Sequence, residues 1–282
     1  MAFLSDGSRH NEIKKNKDIV ARIKDNPLIT THHYVTLSEH SLHYVSSPSS
    51  KTHTQHQTSV VFVHGTPGGW ASFSRYFEDQ GLVKDFSLNV IDRPGWGESG
   101  YDKGAFPTSL SEQSRLIEPI LYDIWKNNGK QKLILVGHSL GGSLVPKIAA
   151  DYSHYIKGVI ILAGDLDPAL SEARWFNKAM TWLPSTCFPK RWIHSNNEVL
   201  AIQPSLITLQ TQFANITLPI TVLQGVNDGL VRPGSATKAP IIFASAQVDV
   251  IMLQGASHII NLTHVEDVKK AIYNMERKIK TL

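Results

Sequence analysis

Six short apolar runs constrain this chain more than any other feature. They are "SVVFVHG" (59–65), "SLNVIDRPG" (87–95), "LILVG" (133–137), "KGVIILAG" (157–164), "LPITVLQG" (218–225) and "QVDVIMLQG" (247–255). Each is rich in Val, Ile and Leu, too short for a core helix, and closed by a glycine; runs of this kind are strands buried on both faces of a parallel sheet. Between them the apolar spacing turns helical: 70–79, Ser109 to about Trp125, the stretch after Ser139, some part of 233–245, and Val265 to Lys280. Strands alternating with helices imply right-handed crossovers and a doubly wound, mostly parallel α/β sheet, whose ligand sites lie beyond the carboxyl ends of the strands. Two strands around "SEH" (38–40), within 30–46, form a hairpin that opens the sheet.

The alternation breaks once. Residues 164–213 carry Trp175, Trp182 and Trp192, prolines at 168, 184, 189 and 204, several helical spacings and no evident strand. The economical reading is a helical cap inserted at 164–213 into a core made of 30–163 and 214–282, preceded by an N-terminal arm at 1–29. At 282 residues, one large domain with an insertion is expected. The arm is polar, with a loose helical spacing at Ile13, Val20 and Ile23, so a short helix or a partly ordered segment is expected there. It lacks the apolar core of a signal peptide. The cytoplasm is the default compartment, although an exported chain trimmed of its leader would read the same way.

Charge and composition remove several function classes. The formal charge is +4, and Lys and Arg are scattered without interleaved aromatics, so no nucleic-acid partner is expected. No apolar run approaches the ~18 residues of a membrane span. Cys187 stands alone, so no intrachain disulfide forms. His53 and His56 lie in the hydrophilic stretch 46–59 with no carboxylate or cysteine cluster beside them, and are expected to be solvated. No metal or organic cofactor is called for. Oligomeric state is not written in the sequence.

The chemistry gathers at "LILVGHSLGGSLVPKIAA" (133–150). Gly-x-Ser-x-Gly alone is a weak pattern, but here a buried strand runs into Ser139 and a helix follows at once, the strand, turn and helix of a nucleophile elbow. Gly137 and Gly141 let strand and helix pack closely around the strained serine, and the helix N-terminus adds positive partial charge. Pro146 falls in the second turn, where a kink or a late helix start is expected.

Two further strand ends carry "HGTPG" (64–68) and "DRPGWGES" (92–99). With "GHSLGG" (137–142), in this order and spacing, they resemble the α/β-hydrolase superfamily from about residue 30 onward. The resemblance implies an eight-stranded sheet with a cap after the sixth strand, and a triad in the chain order Ser139, Asp228, His258. Asp228 stands in "QGVNDGLVRP" after the seventh strand and His258 in "QGASHIINLTHVEDV" after the eighth. His258 would take the proton of Ser139 while Asp228 fixes the imidazole tautomer. The oxyanion hole would be the backbone N–H groups of Leu140 and Thr66. Asp165, after the sixth strand, competes for the acid role. His64 is expected to shape the oxyanion loop, Asp92 and Arg93 to pin a turn, and His264 to lie on the surface; no separate role is argued for His138.

Ser139 in the nucleophile position excludes, by the same resemblance, the branches that use a carboxylate nucleophile, haloalkane dehalogenases and soluble epoxide hydrolases. Carbon-carbon bond hydrolases commonly place Trp after the histidine, where this chain has Ile259. Proline iminopeptidases favour glycine at the Thr66 position and use acidic cap residues, for which Glu172 and Glu198 are poor substitutes. Trp175, Phe176, Met180 and Trp182, with Phe188 and Trp192, either line an apolar substrate pocket or merely fasten the cap to the sheet. The expectation is a serine hydrolase acting on small-molecule carboxylic esters. Lactonase, peptidase or carbon-carbon chemistry, or a ligand-binding protein without turnover, are the alternatives.

Overall fold

A computed structural model describes residues 6–37, 40–48, 57–101 and 105–281; His53 and His56 lie outside them. Its centre is one eight-stranded sheet in the order β1-β2-β4-β3-β5-β6-β7-β8. β1 (Thr31–Leu37) and β2 (His40–Ser46) form the expected antiparallel hairpin, and β2 runs antiparallel to β4 (Phe86–Ile91). From there the sheet is parallel through β3 (Thr58–Val63), β5 (Leu133–His138), β6 (Ile156–Leu162), β7 (Ile220–Gly225) and β8 (Val248–Leu253). The central strands β5, β6 and β7 are almost wholly buried, as continuous apolar runs require.

Helices cover both faces. On one side, α4 (Leu110–Asn127), α5 (Leu140–Asp151) and α7 (Lys190–Ala214) close one apolar core. On the other, α1 (Asp6–Ile23), α2 (Ser74–Phe77), α3 (Gln80–Asp85) and α11 (Val265–Thr281) close a second. Local sequence explains their bounds. Ser109 and Glu112 open α4, the serine hydroxyl accepting the Glu112 N–H at 3.2 Å. α11 buries Val268, Ala271, Ile272 and Met275, one stripe at helical spacing.

The expected arm is an 18-residue helix, α1, tied down by Ile23 in the core and by Arg75 paired with Glu12 at 2.6 Å. Two of the expected helical stretches are divided. The helix expected over 70–79 divides into a 3₁₀ turn at Trp70–Phe73 and α2, after which Asp79 caps a separate α3 through the Leu82 N–H at 2.8 Å. The helix expected within 233–245 is two short ones, α8 (Gly234–Thr237) and α9 (Ala239–Ile242), broken where Pro240 enters the first turn of the second. α5 starts directly at Leu140 and runs through Pro146, so the late start does not occur. Between β6 and β7, where the strand rhythm stops, lie α6 (Trp175–Met180), a 3₁₀ turn at Ser185–Cys187 and the 25-residue α7. α10 (Ile260–Thr263) follows β8. Among the described residues no helix is long and apolar enough to cross a membrane.

Candidate active site

The carboxyl ends of β3, β5, β7 and β8 converge on Ser139. This residue stands between β5 and α5 at φ 56°, ψ −123°, a backbone conformation that a side-chain-bearing residue adopts only when its surroundings impose it. The imposing contacts are specific. The Ser139 N–H donates to the Leu162 carbonyl at the end of β6, at 2.9 Å. A Cβ on Gly137 would lie 2.1 Å from the Gly141 carbonyl oxygen, and one on Gly141 would lie 2.2 Å from that of Val63. The elbow therefore exists only with hydrogen at both positions.

His258, in the loop between β8 and α10, reaches the serine. Its Nδ1–H donates to Asp228 Oδ2 at 2.8 Å, which leaves Nε2 as acceptor for the Ser139 hydroxyl at 2.9 Å. Asp228 lies in the loop after β7, where its Oδ1 accepts the N–H groups of Leu230 at 2.8 Å and Val231 at 3.0 Å. Gln224 donates to Oδ2 at 2.9 Å. Burial alone would raise this carboxyl, yet the hydrogen bonds from His258, Leu230 and Gln224 hold it below its ordinary range. The structure thus brings Ser139, His258 and Asp228 into one hydrogen-bonded line.

Asp165 makes no hydrogen bond to His258. It accepts the Ser171 hydroxyl at 3.1 Å, and burial pushes its carboxyl up to about 6, with His258 and Asp228 near enough to influence it. Asp167 is paired with Lys238 and is not part of the line.

The "HGTPG" loop folds over the serine. A Cβ on Gly65 would lie 2.7 Å from Ser139 Cβ and 3.3 Å from its Oγ, so the backbone leading into Thr66 passes directly beside the serine hydroxyl. On the other side, the N–H of Leu140 opens α5 and has no acceptor within the helix. His64 supports the loop: its Nδ1–H donates to the Gly65 carbonyl at 2.7 Å and its Nε2 accepts the Arg93 N–H at 3.0 Å. Burial, with Arg93 beside it, lowers His64 to about 3, so the ring is neutral.

Several further residues hold the site in place. His138 donates from Nε2 to the backbone carbonyl of His258 at 2.9 Å, holding the loop after β8 against the elbow. Arg93 does more than pin a turn. Its guanidinium donates to the carbonyls of His64 at 3.0 Å and Gly65 at 2.9 Å, to Gln113 at 2.6 Å, and to Glu198 of α7 at 2.5 Å. Glu198 also accepts Trp96 Nε1–H at 3.1 Å and Gln113 at 2.9 Å. The whole group is buried. Asp92 accepts the Trp70 N–H at 2.5 Å and the Glu98 N–H at 2.9 Å, fixing the turn as expected. His264 is partly buried, and its carbonyl accepts the Asp267 and Val268 N–H groups at the start of α11.

The aromatic residues of 175–192 are not buried against the sheet. Trp175 is 79% exposed and Trp182 87% exposed; Phe176 and Trp192 are also exposed, and Met180 is partly buried.

An open, mostly parallel eight-stranded sheet with helices on both faces and a serine elbow after β5 defines an α/β-hydrolase. The chain belongs to the family described as serine aminopeptidase, S33, whose model matches residues 54–205. Among curated proteins it is similar to a proline iminopeptidase of Saccharolobus solfataricus, 27% identical over 38% of this chain and 33% of that one. It is also similar to a 1-acylglycerol-3-phosphate O-acyltransferase of Arabidopsis thaliana, 28% identical over 44% of this chain and 30% of that one. The matched stretch thus spans about a third of the length of these relatives. The structure of an epoxide hydrolase from Vigna radiata superposes with a TM-score of 0.65 over 89% of this chain and 98% of that one, at 13% identity, a likeness of fold.

Proposed function

We propose that this protein hydrolyses carboxylic esters through an acyl-enzyme formed on Ser139. The observation that carries the reading is the line Ser139 Oγ, His258 Nε2, His258 Nδ1, Asp228 Oδ2, with links of 2.9 and 2.8 Å, set at a strained elbow. His258 takes the hydroxyl proton as Ser139 attacks the ester carbonyl, Asp228 holds the tautomer, and the N–H groups of Leu140 and Thr66 receive the developing oxyanion. His258 then returns the proton to the leaving alcohol. Water, activated by the same imidazole, releases the acid.

Epoxide opening by the carboxylate-nucleophile route needs an acid where this chain carries Ser139. An aminopeptidase needs a free carboxylate for the substrate amine; Glu198 is saturated by Arg93, Gln113 and Trp96, and Glu172 is exposed and paired with Lys178. Acyl transfer shares the first half of the proposed reaction, and the likeness to an acyltransferase keeps an alcohol in place of water as a second reading. In this reading residues 164–213 act as a cap, and Trp175, Phe176, Met180 and Trp182 offer an apolar rim to the acyl or alcohol part.

The test is a burst assay with short and medium p-nitrophenyl esters on the parent and on Ser139→Ala, with a fluorophosphonate probe followed by intact mass. Labelling and turnover that vanish in the variant support the reading. Turnover accelerated by an added alcohol, with ester product, moves it to acyl transfer. A folded parent with neither signal overturns it in favour of ligand binding.

A further inference from the structure

Away from Ser139, His32 on β1, His43 on β2 and Glu98 in the turn after β4 each bring one ligand atom to within 4.8 Å of the others. None of them has a part in the proposed ester chemistry. A count of hydrogens shows that the two rings cannot sit as they do by themselves. His43 Nδ1 lies 2.7 Å from Asp92 Oδ2, a carboxylate oxygen that already accepts the Glu98 N–H, so Nδ1 carries the hydrogen. His32 Nε2 lies 3.0 Å from the Lys24 carbonyl, which can only accept, so Nε2 carries the hydrogen. In neutral rings the remaining nitrogens, His32 Nδ1 and His43 Nε2, then bear lone pairs, and these face each other at 2.9 Å. Facing lone pairs repel. A cation belongs between them.

A shared proton would satisfy the two facing nitrogens and needs no third ligand. Glu98 is nevertheless directed at the pair: its Oε2 lies 4.0 Å from His43 Nε2 and accepts the Tyr34 hydroxyl, while the Lys24 ammonium approaches the other oxygen, Oε1, at 4.0 Å. Each of the three groups therefore has a partner behind it that fixes its orientation: Asp92 for His43, the Lys24 carbonyl for His32, Tyr34 for Glu98. That arrangement is the support that metal-binding histidines and carboxylates show. Ring placement agrees. The centroids stand 5.1 Å apart, and a tetrahedral zinc ion at about 2.0–2.1 Å from each nitrogen needs the nitrogens about 3.3 Å apart, a small rotation of the rings in place.

We infer that His32, His43 and Glu98 form a binding site for a divalent transition-metal ion of the zinc type, with the fourth position open to water on the exposed Glu98 side. The ion replaces the shared proton, and its charge is met by Asp92 and Glu98. It clips together β1, β2, the turn after β4 and the carbonyl that follows α1. Positions 32, 43 and 98 match no short ligand motif, so spacing alone does not reveal the site.

To test this, the full chain is stripped with a chelator, exchanged into chelator-free buffer and titrated with zinc chloride by calorimetry, with the thermal midpoint followed in parallel. One equivalent per chain and a raised midpoint are expected, and cobalt(II) in place of zinc should give the visible bands of a four-coordinate ion. His32→Ala and Glu98→Gln should each weaken binding tenfold or more, and Tyr34→Phe, which removes only the hydroxyl behind Glu98, about tenfold. Glu98→Gln conserves shape at an exposed position, so its loss of zinc is separable from loss of fold, checked by circular dichroism. Zinc binding of equal strength in the parent and in both ligand variants overturns the site. So does a midpoint that follows pH with no response to zinc, which assigns the contact to a proton alone.

Discussion

Ser139 is held at positive φ by neighbours that have no room to yield, and that makes the glycines around it the sharpest residue-scale test. Gly137→Ala places a methyl group 2.1 Å from the Gly141 carbonyl, so the elbow has to open. The expected result is loss of fluorophosphonate labelling together with a lower urea midpoint. Asp228→Asn leaves the geometry but reverses the tautomer preference of His258, and kcat on p-nitrophenyl esters should fall by about 10⁴ while KM changes little. Asp165 offers a pH test of opposite character. Its folded carboxyl sits near 6, above its unfolded value, so its contribution to stability is fully present below the unfolded value and is lost as pH rises through about 6. Asp165→Asn removes that loss. It should stabilise the fold at pH 7–8 by on the order of 3 kcal/mol and change nothing at pH 3, measured by thermal melts across pH. Ser139 stands out in the sequence because a buried apolar run leads straight into it, whereas Asp228 and His258 follow from the resemblance, which places them after the seventh and eighth strands. His138 is not, because its role depends on a carbonyl 120 positions away.

At the scale of elements, the buried pair between Arg93 and Glu198 joins the "HGTPG" loop to α7. Glu198→Gln leaves a buried guanidinium without its counter-charge, and such losses run to about 3 kcal/mol or more. A lower urea midpoint is expected, with ester turnover reduced as the carbonyls of His64 and Gly65 lose their fixed donor. Replacing both partners by apolar residues should not restore turnover, because Arg93 also holds those two carbonyls. This pair spans 105 residues and nothing local marks either end. The strands were readable because burial on both faces imposes one composition on them. The short helices were less so: α2 and α3, or α8 and α9, are parted by a single cap or proline, which a spacing pattern averages away.

For the whole molecule, the exposed indoles between β6 and β7 make a contrast with the buried core. Trp175→Ala and Trp182→Ala remove side chains that contribute little burial, so the melting midpoint should barely move, within the ~0.5 kcal/mol typical of surface changes. If they form the rim proposed above, KM for longer acyl esters should rise severalfold at constant kcat. The architecture was legible as a whole, since alternation of strand and helix admits few topologies, whereas the packing of 164–213 follows from contacts with distant turns. The position of Glu198 also bears on how such a protein can diversify. A segment between two strands is usually pictured as exchangeable, free to be swapped for another that favours a different substrate. Here the insert carries the counter-ion for an arginine of the core, so any replacement has to bring a carboxylate to that same point or find Arg93 already changed. The segment and the arginine it neutralises are thereby inherited together.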